Sequence, residues 1–494
     1  MSREALIVVD FGSSALKVQA FTTSGEFIVE RRAPLRLYAD EATLAVEYNP
    51  MEVESSLFTC LRSVGEGLQR LQYEVKGIGC TSQRYNMVLL DINGRELCMS
   101  PNVDPRGFLA SLSLSDDECA ELYRVTGLYP PHLFTAARLM WFKEFKPESF
   151  SKISKILTIC DWLLYKLCGA YTTCPSLAAS TMLFDVVSMR WSRKAMEMFG
   201  VVEDMLPEIV REGDFAGYLS REAAKKTSLP EGLPVVVCGG DTQTAALAAG
   251  VFGEGEVGVI AGRTVPVVAW TGNPAIDAGM RTWLVPHVGG GWLVESNAGP
   301  LGEFVEWFLR DIIVTEDYGA LDQLFELSEP GAKGVMMKLY PSIMDAKSLG
   351  RQSFRSFIST PLLASPFTQP VKVCDMVRAL LEYVAYSIKA NVLQAVSVAS
   401  KRLTSVRATG GLTRIRSLRK LLPSVLGRTV FLTNVPHGSG AGSAALTALS
   451  LGCYSSLREA ARAFVLLEGC EPDPDLVEHY EAAYVSWLDF YTGV

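Results

Sequence analysis

The sequence predicts an α/β protein with two large domains, and two patterns support this fold class. Short apolar runs typical of strands alternate with longer segments of helical periodicity in both halves of the chain. Each half also opens with the same unit, a buried strand, a polar turn and a second strand. At roughly 100–200 residues per domain, 494 residues are enough for more than one domain. The repeated unit places the boundary near Gly250, between residues 1–249 and 250–494.

The first half begins with an apolar run at 5–9, which stops at a polar turn, and an alternating run follows at 17–22. Apolar residues recur at spacings of three and four across 51–71, which predicts an amphipathic helix. Further strands are predicted at 77–81, 87–90 and 233–238. Strands and helices therefore alternate up to the predicted boundary.

The second half repeats this opening with predicted strands at 257–261 and 265–270. A long helix is predicted at 373–398, and a strand at 406–409 runs into two glycines. A strand at 431–433 precedes a glycine-rich turn at 438–443, which opens an alanine-rich helix. The second half is thus expected to be an α/β domain as well.

Composition and charge exclude several classes of partner and location. The net charge is −8 and no basic run is present, so nucleic acid and anionic membranes are not expected as main partners. No apolar run approaches the roughly 18–20 residues that span a bilayer. The eleven cysteines lack CxxC spacing, and the N-terminal residues do not resemble a secretory signal. We therefore expect a cytoplasmic protein with reduced thiols.

Two carboxylates directly follow buried strands, where ligands of α/β sheets usually bind. Asp10 begins a Gly-Ser-Ser turn that could present hydroxyls and N–H groups to phosphate and hold Mg²⁺. Asp241 follows two glycines and could accept the proton of a hydroxyl that receives a phosphoryl group. An ordinary turn at Asp10 and a helix N-cap at Asp241 are the alternative readings.

Taken in chain order, about ten motifs resemble the FGGY carbohydrate kinase family over nearly the whole chain. The segments that carry the resemblance are Asp10 to Ser14 with Lys17, Glu47 to Pro50, Ser82 to Arg84, Asn102 to Arg106, Asp161 to Leu163, Ser180 to Asp185, Gly239 to Ala246, Gly302 to Trp307, Gly410-Gly411 and Gly438 to Ala445. The family shares its core with actin and the Hsp70-type ATPases.

The resemblance implies two ribonuclease-H-like domains around a central cleft, with sugar on the first and MgATP on the second. It implies that Asp241 is the catalytic base and that Asp10 and Asp241 support Mg²⁺. It assigns substrate contacts to Gln83, Arg84, Tyr85, Asp104, Asp241 and Thr242. It assigns the nucleotide and its phosphates to Asp10, Gly12, Ser13, Ser14, Lys17, Gly262, Arg263, Thr264, Gly302, Gly410 and Gly411.

Several positions depart from the family pattern. Arg263 stands in the second phosphate turn, where it could stabilise the transferred charge or point to solvent. The usual G-E-R-x-P segment is replaced by residues 342–350, which leaves substrate size and oligomeric state open, with a homodimer as one candidate. The substrate loop lacks features of glycerol and xylulose kinases. The 102–106 run is most similar to the autoinducer-2 kinase branch, which suggests a short open-chain substrate.

The expected activity is therefore ATP-dependent phosphorylation of a hydroxyl of a small sugar or polyol. One rival is a sugar- or nucleotide-binding regulator without transfer activity, for which Arg263 and the replaced segment are the reasons. A second rival is an actin- or chaperone-like ATPase that acts on protein, against which Gln83 and Arg84 in the substrate loop argue.

Overall fold

The structure is a computed structural model that describes residues 3–349, 356–361, 370–400, 402–433 and 437–493. Strands of the first half are β1 (Arg3–Phe11), β2 (Ala15–Thr22), β3 (Phe27–Pro34), β4 (Leu37–Asp40), β5 (Ala45–Tyr48), β6 (Tyr73–Ser82), β7 (Met87–Leu90), β8 (Glu96–Ser100), β9 (Lys155–Leu157), β10 (Thr172–Thr173), β11 (Phe184–Asp185), β12 (Arg190–Trp191), β13 (Glu208–Ile209), β14 (Phe215–Tyr218) and β15 (Pro234–Gly240). Its helices are α1 (Pro50–Arg70), α2 (Gly107–Ser111), α3 (Asp116–Thr126), α4 (Thr135–Phe145), α5 (Pro147–Phe150), α6 (Ile159–Cys168), α7 (Pro175–Ala179), α8 (Arg193–Phe199), α9 (Arg221–Thr227) and α10 (Asp241–Ala248).

Strands of the second half are β16 (Glu256–Ile260), β17 (Pro266–Thr271), β18 (Trp283–Pro286), β19 (Trp292–Asn297), β20 (Met336–Lys338), β21 (Phe357–Ser359), β22 (Ser405–Thr409), β23 (Val430–Thr433) and β24 (Leu467–Cys470). Its helices are α11 (Leu301–Trp307), α12 (Gly319–Glu326), α13 (Val373–Ala399), α14 (Arg416–Leu426), α15 (Gly438–Ser450), α16 (Leu457–Phe464) and α17 (Pro474–Gly493). The strands and helices predicted from the sequence are confirmed, with bounds that differ by a few residues.

Each half has its own sheet, and the two sheets share the same core arrangement of strands. The first has the strand order β14-β15-β6-β1-β2-β3, and the second has β18-β19-β17-β16-β22-β23-β24. In each, three antiparallel strands (β1–β3, or β16, β17 and β19) continue into two parallel ones (β6 and β15, or β22 and β23). This duplicated order confirms the expected pair of ribonuclease-H-like domains.

Local sequence explains the helices that cover these sheets. Asn49 caps α1 by accepting a hydrogen bond from the Met51 N–H, and Pro50 occupies its first position, where no N–H is needed. The apolar stripe of α1 then packs on the first sheet. Helix α13 is buried on nearly all sides because the second sheet, α12 and α14 surround it.

Helices α10 and α15 pack against each other, and α15 also contacts strands of the first sheet. A side chain at Gly442 would overlap the Thr244 carbonyl oxygen of α10, and one at Gly440 would overlap the Gln19 side chain. The glycine run at 438–443, which was predicted as a turn, is instead the first part of helix α15. Its glycines allow the chain to approach closely across the two halves.

One hydrophobic cluster contains residues of both halves, including Phe134 of the first and Val268 and Trp283 of the second. The Trp283 indole N–H also donates to the Tyr129 carbonyl, 2.5 Å away. The two halves are thus packed directly against each other. No helix in the described ranges is long and apolar enough to cross a membrane.

Candidate functional site

A cavity of about 760 Å³ lies between the two halves. Its walls bring together twelve of the residues singled out from the sequence, which come from five separate turns. They are Gly12, Ser13, Ser14, Lys17, Asp241, Thr242, Gly262, Arg263, Thr264, Gly302, Gly410 and Gly411. Residues that are up to 399 positions apart in the chain therefore meet at one cleft.

Asp241 is the first residue of α10 and follows directly on β15, with Gly240 in the N-cap position. Its Oδ1 accepts a hydrogen bond of 2.7 Å from the Thr242 N–H. Burial is the main reason that the pKa of Asp241 is raised to about 6, while Arg84 opposes this rise and Asp10 adds to it. A half-buried carboxylate with such a pKa, facing a cleft, suits proton transfer near neutral pH.

Asp10 lies at the end of β1 and is only 2% exposed. Its register partner on β2 is Lys17, whose Nζ is 3.4 Å from Asp10 Oδ2. The neighbouring Asp10 carboxylate is the main reason that the pKa of Lys17 is raised. Ser439, at the start of α15, donates a hydrogen bond of 2.8 Å to the same oxygen. The first-half carboxylate is thus fixed by both halves of the molecule.

The turns on the second-half side of the cavity require glycine. Gly410 has φ +116°, and a Cβ there would lie 2.5 Å from the Ala261 carbonyl oxygen. A side chain at Gly302 would overlap the Gly262 carbonyl oxygen, and the Gly302 N–H donates to the Arg263 carbonyl, 3.0 Å away. The turn after β16, the turn after β22 and the start of α11 therefore pack closely together and form one compact wall of the cavity.

Arg263 lines this wall and is about half exposed. Its Nη2 lies 3.1 Å from Glu303 Oε1. The guanidinium is thus at the cleft edge, paired with an exposed carboxylate. Of residues 342–350, which replace the family segment, Gly350 lies outside the described residues, and Ala346–Ser348 forms a short 3₁₀ turn bonded to the Arg281 carbonyl.

Most of the predicted substrate residues lie behind the cavity wall, whereas most of the predicted nucleotide residues line it. Gln83, Arg84, Tyr85 and Asp104 do not line the cavity. Gln83 Nε2 donates to the Tyr48 hydroxyl, 3.1 Å away. Arg84 packs against Gly240, whose Cβ position would lie 3.0 Å from Arg84 Cγ. The substrate loop therefore lies directly beside Asp241 but is covered.

Tyr85 has φ +61°, and its ring packs edge-on against Phe134 and Trp283. Asp104 is buried and forms an ion pair of 2.7 Å with Arg106, and it also accepts a hydrogen bond from Ser100. The substrate roles of these two residues stay predictions.

Among the residues that sequence reasoning missed, two directly hold predicted site residues. Ser439 holds Asp10, and Glu295 on β19 forms a two-pronged ion pair with Arg84, with distances of 2.7 and 3.0 Å. The Gly-Ser-Gly sequence at the start of α15 was a possible signal for Ser439. Nothing in the sequence connects Glu295 to a loop 211 residues earlier.

The described residues contain no group of three or more His, Cys, Asp or Glu side chains arranged for a metal ion. Two carboxylates, Asp10 and Asp241, lie near each other, and Asp10 contributes to the raised pKa of Asp241. Mg²⁺ in phosphoryl-transfer sites is commonly held by one or two carboxylates together with substrate phosphates. The residues present therefore fit a magnesium ion that arrives with a nucleotide.

The chain is similar to known carbohydrate kinases in sequence and in fold. Residues 5–248 match the model of the FGGY family of carbohydrate kinases, N-terminal domain. The chain is 26% identical over 506 residues to the autoinducer-2 kinase of Salmonella paratyphi B, covering 98% of this chain and 94% of that protein.

Two crystal structures from Lactobacillus acidophilus share its fold at 16% identity. A ligand-bound xylulose kinase aligns with TM-score 0.88 over 99% of this chain and 98% of its own. A gluconate kinase aligns with TM-score 0.87 over 100% and 98%.

Proposed function

Because the chain belongs to the FGGY family of carbohydrate kinases, we propose that it transfers the terminal phosphoryl group of ATP to a hydroxyl of a small sugar or polyol, with Asp241 as the general base. The observation that carries this proposal is the position of Asp241 on the wall of a cavity that the predicted phosphate turns of both halves also line. Such a position puts a proton acceptor beside the place where a terminal phosphate would lie.

In the proposed reaction, the Asp241 carboxylate accepts the proton of the substrate hydroxyl. The hydroxyl oxygen forms a bond to the terminal phosphorus, the bond between that phosphorus and its bridging oxygen breaks, and ADP leaves. Lys17, the Gly12–Ser14 turn and Thr264, which line the cavity, would donate hydrogen bonds to phosphate oxygens. Mg²⁺, held by Asp10 and Asp241, would neutralise phosphate charge when bound.

The two domains have different proposed roles. Residues 1–249 would bind the sugar and residues 250–494 the nucleotide, with adenine and ribose against Gly410 and Gly411. The open space at Gly411 supports this assignment, because both residues line the cavity and no atom lies within 4 Å of the position of a Gly411 Cβ. Water exclusion on cleft closure would suppress hydrolysis of ATP.

The proposed substrate is a short, open-chain ketose or polyol, and the similarity to an autoinducer-2 kinase supports this choice. The test is ATP consumption in the presence of pentuloses, hexuloses, tetritols and glycerol. We expect one class to stimulate turnover at least about tenfold over the rate without sugar. Equal rates with and without every polyol would contradict the proposal.

All eleven cysteines are free, which supports a cytoplasmic location.

The raised pKa of Asp241 predicts a pH dependence. The base is active when ionised, so kcat/KM should fall as the pH drops through about 6, by about tenfold per unit below it. A carboxylate with an ordinary pKa would move this fall to about pH 4. The check is a profile of kcat/KM between pH 4.5 and 8, and a flat profile down to pH 5 would exclude the predicted shift.

A further inference from the structure

The Arg84–Glu295 ion pair joins the two halves of the chain and is buried behind the cavity wall. Arg84 is 5% exposed and Glu295 is fully buried, and both terminal nitrogens of the guanidinium contact the two carboxylate oxygens. Asn297 donates a further hydrogen bond of 3.3 Å to Glu295 Oε1. This two-pronged geometry occupies the face of the guanidinium that recognises carboxylates.

The pair lies beside the proposed base. Arg84 packs against Gly240, the residue before Asp241, and its guanidinium lies 4.7 Å from the centre of the Tyr85 ring. The Tyr85 hydroxyl is buried without a hydrogen-bond partner among the described residues. Burial of a hydroxyl without a partner is unfavourable, so a substrate hydroxyl that reached it would satisfy it.

Two cations near Asp241 and Asp10 are already paired with carboxylates and are not available to a substrate carboxylate. Glu295 neutralises Arg84, and Lys17 is paired with Asp10. Asp241 adds a negative charge. A sugar acid would therefore meet a carboxylate at the base and would find the arginine already occupied, whereas an uncharged polyol would meet neither obstacle.

We propose that Glu295 determines specificity by occupying Arg84, so that the site accepts uncharged polyols and excludes sugar acids. This inference rests on the proposed kinase function and names the substrate class of the same site. Glu295 acts through Arg84 and is a positioning residue. The excluded competitor is a sugar acid whose hydroxyls match those of the polyol. Attractive contacts to these hydroxyls alone would not reject it.

The test compares the best neutral polyol with the aldonic acid of equal chain length in one enzyme, so that general losses of activity cancel in the ratio. For the wild type, we expect kcat/KM for the polyol to exceed that for the acid at least about 100-fold. In Glu295→Gln, Arg84 is free to bind a carboxylate, and the ratio should fall at least about tenfold. Binding of both compounds without ATP, measured by calorimetry, should change in the same direction.

Two further variants separate this effect from a general disturbance. Glu256→Gln removes another paired, largely buried carboxylate of the same sheet, bonded at 2.8 Å to Arg407, and should leave the ratio unchanged. The double variant Arg84→Gln/Glu295→Gln should lose the gain in sugar-acid binding, because the gain depends on the freed guanidinium.

The outcomes distinguish the inference from the function on which it rests. A wild-type enzyme that phosphorylates the sugar acid as well as the polyol overturns the inference and leaves the kinase function standing, even if Glu295→Gln does not fold. An unchanged ratio in a folded Glu295→Gln variant also overturns it. Absence of phosphoryl transfer to any polyol or acid refutes the kinase proposal itself.

Discussion

Replacement of Asp241 by asparagine is expected to lower turnover about 10²–10⁴-fold while ATP binding stays unchanged. Asparagine keeps the size of the side chain and can still accept the hydrogen bond from the Thr242 N–H. It cannot take up the proton of a substrate hydroxyl. Single-turnover phosphoryl transfer and nucleotide binding by fluorescence or calorimetry would measure the two properties separately.

Asp161 offers a matched control for this variant. Like Asp241, it is a first-half carboxylate whose pKa is raised by burial, in this case to about 7. Its role is structural, because it accepts a hydrogen bond from the Thr158 N–H and so caps α6. Asp161→Asn should retain turnover within about threefold. If Asp241→Asn turns over as fast as Asp161→Asn, Asp241 is not the base.

The same variant has a predictable effect on stability. The pKa of Asp241 is higher in the folded protein than the ordinary value, so its charged form costs stability above pH 6, and this cost disappears as the pH falls below about 4. At pH 7, Asp241→Asn should therefore unfold at a higher temperature than the wild type. A lower melting temperature at pH 7 would contradict the burial of this charge.

Replacement of Gly442 by alanine is expected to destabilise the protein by about 1–3 kcal/mol and to lower turnover. The new methyl group would overlap the Thr244 carbonyl oxygen of α10, and backbone cannot move aside as a flexible side chain can. Because α10 begins at Asp241, separation of α10 and α15 would displace the base. Denaturant unfolding and steady-state kinetics would measure both effects.

Gly67→Ala is the matched control, since it makes the same substitution within a helix. Gly67 lies in α1, and no atom lies within 4 Å of the position of its new Cβ. Alanine should stabilise that helix by about 0.5–1 kcal/mol and leave turnover unchanged. Equal effects of the two substitutions would show that the contact between α10 and α15 is not tight.

Local patterns in the sequence predicted most of the fold. The strand–turn–strand units at Asp10 and at Gly262 each depend on neighbouring residues, so alternation and turn chemistry were sufficient. The residues assigned to the nucleotide came from the family resemblance, and most of them meet at one cavity because sheet topology brings strand ends together.

Contacts between distant residues could not be predicted in this way. Ser439 meets Asp10 across 429 residues, and Glu295 meets Arg84 across 211. These pairings depend on how the two domains dock, and the periodicity of a local sequence segment carries no information about docking. The glycine run at 438–443 was predicted as a turn because glycine favours turns, but packing against α10 and β2 outweighs this preference.

A crystal structure with a non-hydrolysable ATP analogue and the best substrate tests the central claim most directly. The account predicts that the reacting hydroxyl lies within about 3.2 Å of an Asp241 carboxylate oxygen, with the terminal phosphate between the Gly12–Ser14 and Gly262–Thr264 turns. A nucleotide bound outside this cleft, or a substrate whose hydroxyls all lie far from Asp241, would contradict it.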